Sequence, residues 1–155
     1  MKNNNQGFTL VELVMVITLV AILSAVASGL FLRTGSFAAL GAREQLVSVS
    51  LLAQKRALAN VVDGSNVVLT ISQLADEWQF DIVQGSTTFE TRTAKRSGTS
   101  LSVNGVTMAN GGSTSLTFGS DAKTNSNTQF IFSADNTYAL CISDSGFSYI
   151  GTCQT

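Results

Sequence analysis

The sequence predicts an α+β protein: one long N-terminal helix, able to cross a membrane in its first half, packed through its second half on an antiparallel β-sheet head. Three observations carry that expectation. Residues Phe8 to Leu32 form an apolar run whose only charge is Glu12. Helical spacing of apolar residues then continues to Asn60. Beyond it, short β-branched and aromatic runs alternate with clusters of Gly, Asn, Asp and Ser. The organisation that follows is a polar leader at 1–7, a membrane half at 8–32, an amphipathic half at 33–60 and a β-rich head at 61–155.

Charge is scarce along the whole chain. Asp, Glu, Lys and Arg make up 12% of the 155 residues, against about 25% in ordinary globular proteins. The net charge of −1 supplies no field that would gather nucleic acid or an anionic bilayer. Histidine is absent, which removes the commonest general base and metal ligand. Proline is absent too, and no physical reason for that is apparent.

The apolar run of 25 residues, at about 1.5 Å each, makes a helix of about 38 Å, enough to cross a hydrocarbon core of about 30 Å. A plain membrane anchor is one reading. A cleaved secretory signal is another, because Ala25-Val26-Ala27 has the A-x-A form. Against a secretory signal, the basic region before the run is thin and the run is long. Glu12 weighs against both, since an acid inside lipid is costly and calls for a partner.

The second half of the helix places Leu40, Val47, Leu51 and Leu58 on one face at spacings of seven, four and seven. Arg43, Glu44, Gln54 and Lys55 supply polar surface. One helix is expected from about Thr9 to Asn60, bent near Gly29 or Gly35. Strands are expected at Val67–Ile71, Trp78–Val83, Thr87–Arg92, Leu101–Val103, Val106–Met108, Leu116–Phe118, Phe130–Phe132, Tyr138–Ser143 and Phe147–Ile150. Asp63-Gly64, Asn104-Gly105 and Asp144-Ser145-Gly146 are the strongest turn signals. The aromatics recur at period two and belong to the core.

Catalytic constellations are lacking. No G-x-S-x-G elbow is present, and Gly111-Gly112 has neither the lysine nor the spacing of a phosphate loop. Asp76 and Glu77 are neighbours and point to opposite sides of a strand. Asp121, Asp135 and Asp144 are too dispersed for a dedicated calcium loop. No enzyme activity, cofactor or metal is therefore expected. The one basic cluster, Arg92, Lys95 and Arg96, has Glu90 beside it, and a solvated loop is the better reading than a nucleic-acid contact.

Cys141 and Cys153 have neither redox nor zinc spacing. A disulfide between them is expected, because a head carried across a membrane reaches an oxidising compartment, with two unrelated buried thiols as the alternative. A turn at 144–146 would set Cys141 opposite about Tyr149, so the tail after Ile150 has to fold back to bring Cys153 within about 7 Å.

The run Gly7-Phe8-Thr9-Leu10-Val11-Glu12, after a short polar leader and before an apolar stretch, resembles the processing site of type IV prepilins. The resemblance implies cleavage by prepilin peptidase between Gly7 and Phe8, N-methylation of Phe8, and pairing of the Phe8 amine with Glu12 of an adjacent subunit. It implies the type IV pilin fold. The implied partners are other pilin subunits, major and minor, and the inner-membrane assembly platform. The implied location is the bacterial inner membrane, with a single pass and a periplasmic head, and then the pilus at the cell surface. Most such proteins carry a proline partway along the helix, where this chain has Ser28-Gly29.

Leu51 to Asn60, the lone Trp78 and the Ser143-x-x-Gly146 hairpin resemble minor pilins and pseudopilins of the GspH/FimT type. The cysteine pair around that hairpin is similar to minor pilins of the mannose-sensitive haemagglutinin (MSHA) pilus. The role this implies is structural: assembly or initiation of a fibre, with adhesion as an added property. A secretion-system pseudopilin and a DNA-uptake pilin are the alternatives.

Overall fold

The computed structural model describes residues 9–31, 34–59 and 64–154. Gly7, Phe8, the joint at Leu32-Arg33 and the Asp63 half of the first turn lie outside the described residues. The chain divides into two compact units, 1–34 and 35–155.

The first unit contains α1, Leu10–Phe31. Its residues are apolar on every side, so no polar face turns it toward a globular core. None of Leu10–Ala27 is buried within the chain. The helix is long and apolar enough to cross a membrane.

The second unit holds α2 (Thr34–Ala59) and nine strands, β1 Val67–Gln73, β2 Glu77–Gln84, β3 Thr87–Lys95, β4 Ser100–Val103, β5 Val106–Thr107, β6 Ser113–Phe118, β7 Thr128–Ser133, β8 Thr137–Ile142 and β9 Ser148–Ile150. They form two antiparallel sheets, ordered β3-β2-β1-β6 and β5-β4-β7-β8-β9. Strands β1 and β2 alternate strictly between buried and half-buried residues, the period-two pattern of a sheet covered on one face. This is the α+β arrangement, with strands at every place the alternation and turn residues predicted.

Two turns show why. Asn104 and Gly105 both have positive φ, 49° and 82°, the conformation a two-residue hairpin needs and Asn-Gly accepts most readily. Asn104 also accepts a bond from Gln129 N–H through Oδ1 at 2.8 Å, tying the turn to β7. At Gly146, φ is 79° and a Cβ would lie 1.9 Å from the Ala122 carbonyl oxygen, so only glycine closes the β8–β9 hairpin against the 119–124 loop.

The core corrects the expected face of α2. Ala39, Ala42, Leu46, Val49, Ala53 and Ala57 are the buried apolar residues of the helix, whereas Leu51 and Leu58 are 41% and 61% exposed. The reason is volumetric. The sheets project Trp78, Phe80, Phe118, Phe130 and Phe132 into the same core, all fully buried, and bulky rings leave room for small side chains opposite. A leucine-led periodicity cannot see an alanine face. The single helix expected over Thr9–Asn60 is described as two helices, α1 and α2.

Candidate assembly surface

Glu12 lies in the first turn of α1. Its Oε2 accepts the Thr9 N–H and the Thr9 hydroxyl, both at 2.9 Å, and Thr9 Oγ1 accepts the Glu12 N–H at 3.3 Å. This is a capping box, in which Thr9 and Glu12 satisfy each other's helix-start donors. The T-x-x-E spacing of Thr9 and Glu12 is itself a sequence signal of such a cap. Among the described residues no cation pairs with Glu12. One carboxylate oxygen is committed to the cap, and Oε1 accepts no bond among the described residues. The site therefore joins an acidic side chain to an uncovered apolar helix.

The cysteines are bonded to each other, Cys141 to Cys153, with Cα atoms 5.0 Å apart. Cys141 stands opposite Tyr149 in the β8–β9 ladder. The tail then leaves the ladder and returns over β7. Gln129 anchors it, accepting the Cys153 N–H through Oε1 at 2.5 Å and donating from Nε2 to Gly151 O at 3.3 Å. Gln154 N–H donates to the Tyr149 hydroxyl at 2.9 Å. Gln129 is a tail-fixing residue that no sequence pattern singles out.

The basic cluster is not a cluster in space. Arg96 Nη1 donates to the carbonyls of Leu74 and Ala75 at 3.1 and 3.2 Å, Nη2 to Asn110 Oδ1 at 2.8 Å, and Nε to Thr99 O at 3.2 Å. Its guanidinium also lies over the Trp78 ring, 5.5 Å from the centroid. Arg96 thus ties three loops together and keeps little free donor capacity. Arg92 pairs with Glu90. Arg92 and Lys95 stand opposite Phe80 and Glu77, on opposite faces of β3.

The aspartates also scatter. Among the described residues no three Asp, Glu, Cys or His side chains converge. Asp121 accepts the Lys123 backbone N–H at 3.2 Å, and that bond, with the Lys123 ammonium nearby, holds its carboxyl below the usual range. Apolar side chains remain uncovered on α2 as well, with Phe37 69% exposed in addition to Leu51, Leu52 and Leu58. Of these, Leu52 lines a cleft of about 320 Å³ with Lys55, Arg56, Ala59, Ile82, Phe89 and Glu90.

Residues 2–28 match the family described as the prokaryotic N-terminal methylation motif. That match takes in Gly7, Phe8, Thr9, Glu12 and nearly all of α1. It supports a pilin-type structural role, with processing by prepilin peptidase and assembly with other pilus components, and it fits membrane anchoring through the apolar helix. No curated protein and no solved structure matches the chain.

Proposed function

We propose that this chain is a structural subunit of a type IV pilus, held in the inner membrane by α1 and carried into the fibre by Glu12. The observation that supports it most directly is continuity: the methylation motif over residues 2–28 runs into a helix in which its own chain buries none of Leu10–Ala27. A helix of that kind is stable only in lipid or among helices of other subunits. Cleavage between Gly7 and Phe8 leaves a new amine four residues before the cap-bound acid, Glu12. Its methylated amine then meets the free Glu12 oxygen of an adjacent subunit, so that neither charge is left alone in an apolar fibre core. The head is periplasmic before assembly.

The finer reading is a GspH/FimT-type minor pilin of an MSHA pilus, of the MshC kind, acting in assembly or initiation with adhesion as an added property. It rests on Trp78, the Ser143–Gly146 hairpin and the Cys141–Cys153 bridge that pins the tail. A DNA-uptake role loses its main support, because Arg96 is taken up by backbone carbonyls and Arg92 by Glu90.

Intact-mass measurement of the membrane-extracted protein tests the reading. A chain starting at Phe8 with one added methyl is the expected product. A terminus after Ala27, or an unprocessed Met1 terminus, overturns it.

A further inference from the structure

Helix α2 leaves Leu51 and Leu58 on an exposed ridge, with an unlike flank on either side. On one flank it meets β2 and β3 in the cleft of about 320 Å³, at the small end of the range of roughly 300–1,000 Å³ that holds ligands. Leu52 and Ala59 of the helix, with Ile82 and Phe89 of the strands, give it apolar walls. Lys55 and Arg56 also line it, and neither has an acidic partner among the described residues. The Arg56 guanidinium lies over the Phe89 ring, 3.0 Å from the centroid. Its Nε is buried without an acceptor among the described residues, a donor whose desolvation is left uncompensated. Glu90, the acid in the lining, is already paired with Arg92. The cleft thus suits an apolar side chain that arrives with an unpaired carboxylate.

The opposite flank of α2 carries the β8–β9 turn. A Cβ on Gly146 would lie 3.3 Å from Gln54 Nε2. Gln54 is two residues from both Leu52 and Arg56, so it faces the far side of the helix from them. The turn holds Asp144 and Phe147 together, closed by the Ser143 N–H donating to Phe147 O at 2.9 Å. Phe147 is 58% exposed. Asp144 is exposed as well and joins no ion pair among the described residues.

We propose that the Asp144–Phe147 turn of a second copy of this chain docks in this cleft, with the Phe147 ring against Leu52, Ile82 and Phe89 and the Asp144 carboxylate on Lys55 and Arg56. Among the described residues of this unit, three exposed large apolar side chains lie within three positions of a carboxylate: Leu74, Phe89 and Phe147. Phe89 belongs to the cleft itself. The Leu74 carbonyl holds Arg96, so Leu74 would bring a cation to a site that already has two. Phe147 is the one that matches. Turn and cleft sit on opposite flanks of one helix, so a chain does not fill its own cleft. Each copy instead offers its turn to one neighbour and its cleft to another, a heterologous contact that repeats along an assembly.

The contact rests on the fibre-subunit reading above for bringing two copies together, and the experiment separates the two claims. A benzophenone amino acid replaces Phe147 in a tagged full-length chain, made in the same cells as a second full-length copy with a different tag. The same probe at Ser145, exposed in the same turn, is run in parallel so that a ring too large for the cleft does not decide the result. Membranes are illuminated and the products mapped by peptide, with an intact Cys141–Cys153 bridge certifying the fold of the head. The expected product joins the two tags and maps to residues 52–59 or 82–90 of the second copy. Lys55→Glu in the second copy is expected to lower its yield by about fivefold, and Asp144→Lys in the first to restore it. A cross-link to a lipid or to a different pilin in place of the second copy overturns the contact. So does the absence of mixed product with both probes, or a yield that Lys55→Glu leaves unchanged. If other pilin subunits still co-purify with the wild-type chain, the turn-in-cleft contact alone falls. If the wild-type chain recovers none of them, the fibre-subunit reading falls with it.

Discussion

Helices α1 and α2 are of similar length, 22 and 26 residues, and opposite in what covers them. No residue of Leu10–Ala27 in α1 is buried by its own chain. Helix α2 sinks a row of alanines under five large rings and leaves several leucines outside. The difference is one of solvent. Helix α1 has backbone bonds satisfied internally and side chains suited to hydrocarbon, so it asks nothing of the head. Helix α2 is shaped by the sheet it covers, and there volume outranks hydrophobicity. On the proposed function, a mutation is therefore expected to act on assembly in the first helix and on stability in the second.

The sharpest break of that comparison is at Glu12, where the helix cap and the proposed assembling role coincide. Glu12→Ala removes both the cap on Thr9 and the charge, whereas Glu12→Gln keeps a capping-box side chain and removes only the charge. Both variants are expected to lose co-purifying pilin subunits almost completely while the head unfolds as in wild type. Full recovery of partners with Glu12→Gln would assign the residue to the cap alone.

Next in size is the covered face of α2. Ala53 is fully buried, so Ala53→Leu forces extra volume under the sheet and costs about 1–3 kcal/mol. Leu58→Ala, on the exposed side, stays within about 0.5 kcal/mol. Urea unfolding of the two variants, followed by Trp78 fluorescence, checks the pair. A larger loss at Leu58 would restore the leucine face that periodicity suggested.

The disulfide closes a loop with a sequence separation of 12, and removing it with Cys141→Ser and Cys153→Ser together is expected to cost about 3 kcal/mol through the unfolded chain. Cys141 is fully buried, so part of the loss comes from placing a hydroxyl there, and Cys141→Ala with Cys153→Ala separates that part. Membrane insertion and processing at Phe8 are expected to be untouched, since they belong to the first unit. Failure of processing in the double variant would show that the two regions are less independent than their covers imply.

The smallest effect is at Asp121. Its folded carboxyl titrates below the usual 3.8 because the Lys123 N–H bonds the ionised form. The stability it contributes is thus present above that usual value and is lost as pH falls through the folded one. Asp121→Asn is expected to flatten a slight acid-side decline in melting temperature and to change nothing at neutral pH. An unchanged acid limb in the variant would remove Asp121 from the account.

The residues that announce themselves in the sequence do so for local reasons. An apolar run of spanning length, the Gly7–Glu12 motif, period-two strands and Asn104-Gly105 each depend on neighbours a few positions away, and chain geometry alone turns them into structure. Even the facing of Cys141 and Tyr149 follows from the length of one turn. What only the tertiary structure decided involves partners far along the chain. Arg96 looked like a free cation until Leu74, Ala75 and Asn110 gathered around it, and Gln129 was anonymous until the tail came back to it. The buried face of α2 belongs to this second group. Its alanines carry little hydrophobic signal of their own, and they become the core because rings from two sheets have already filled the space that leucines would need.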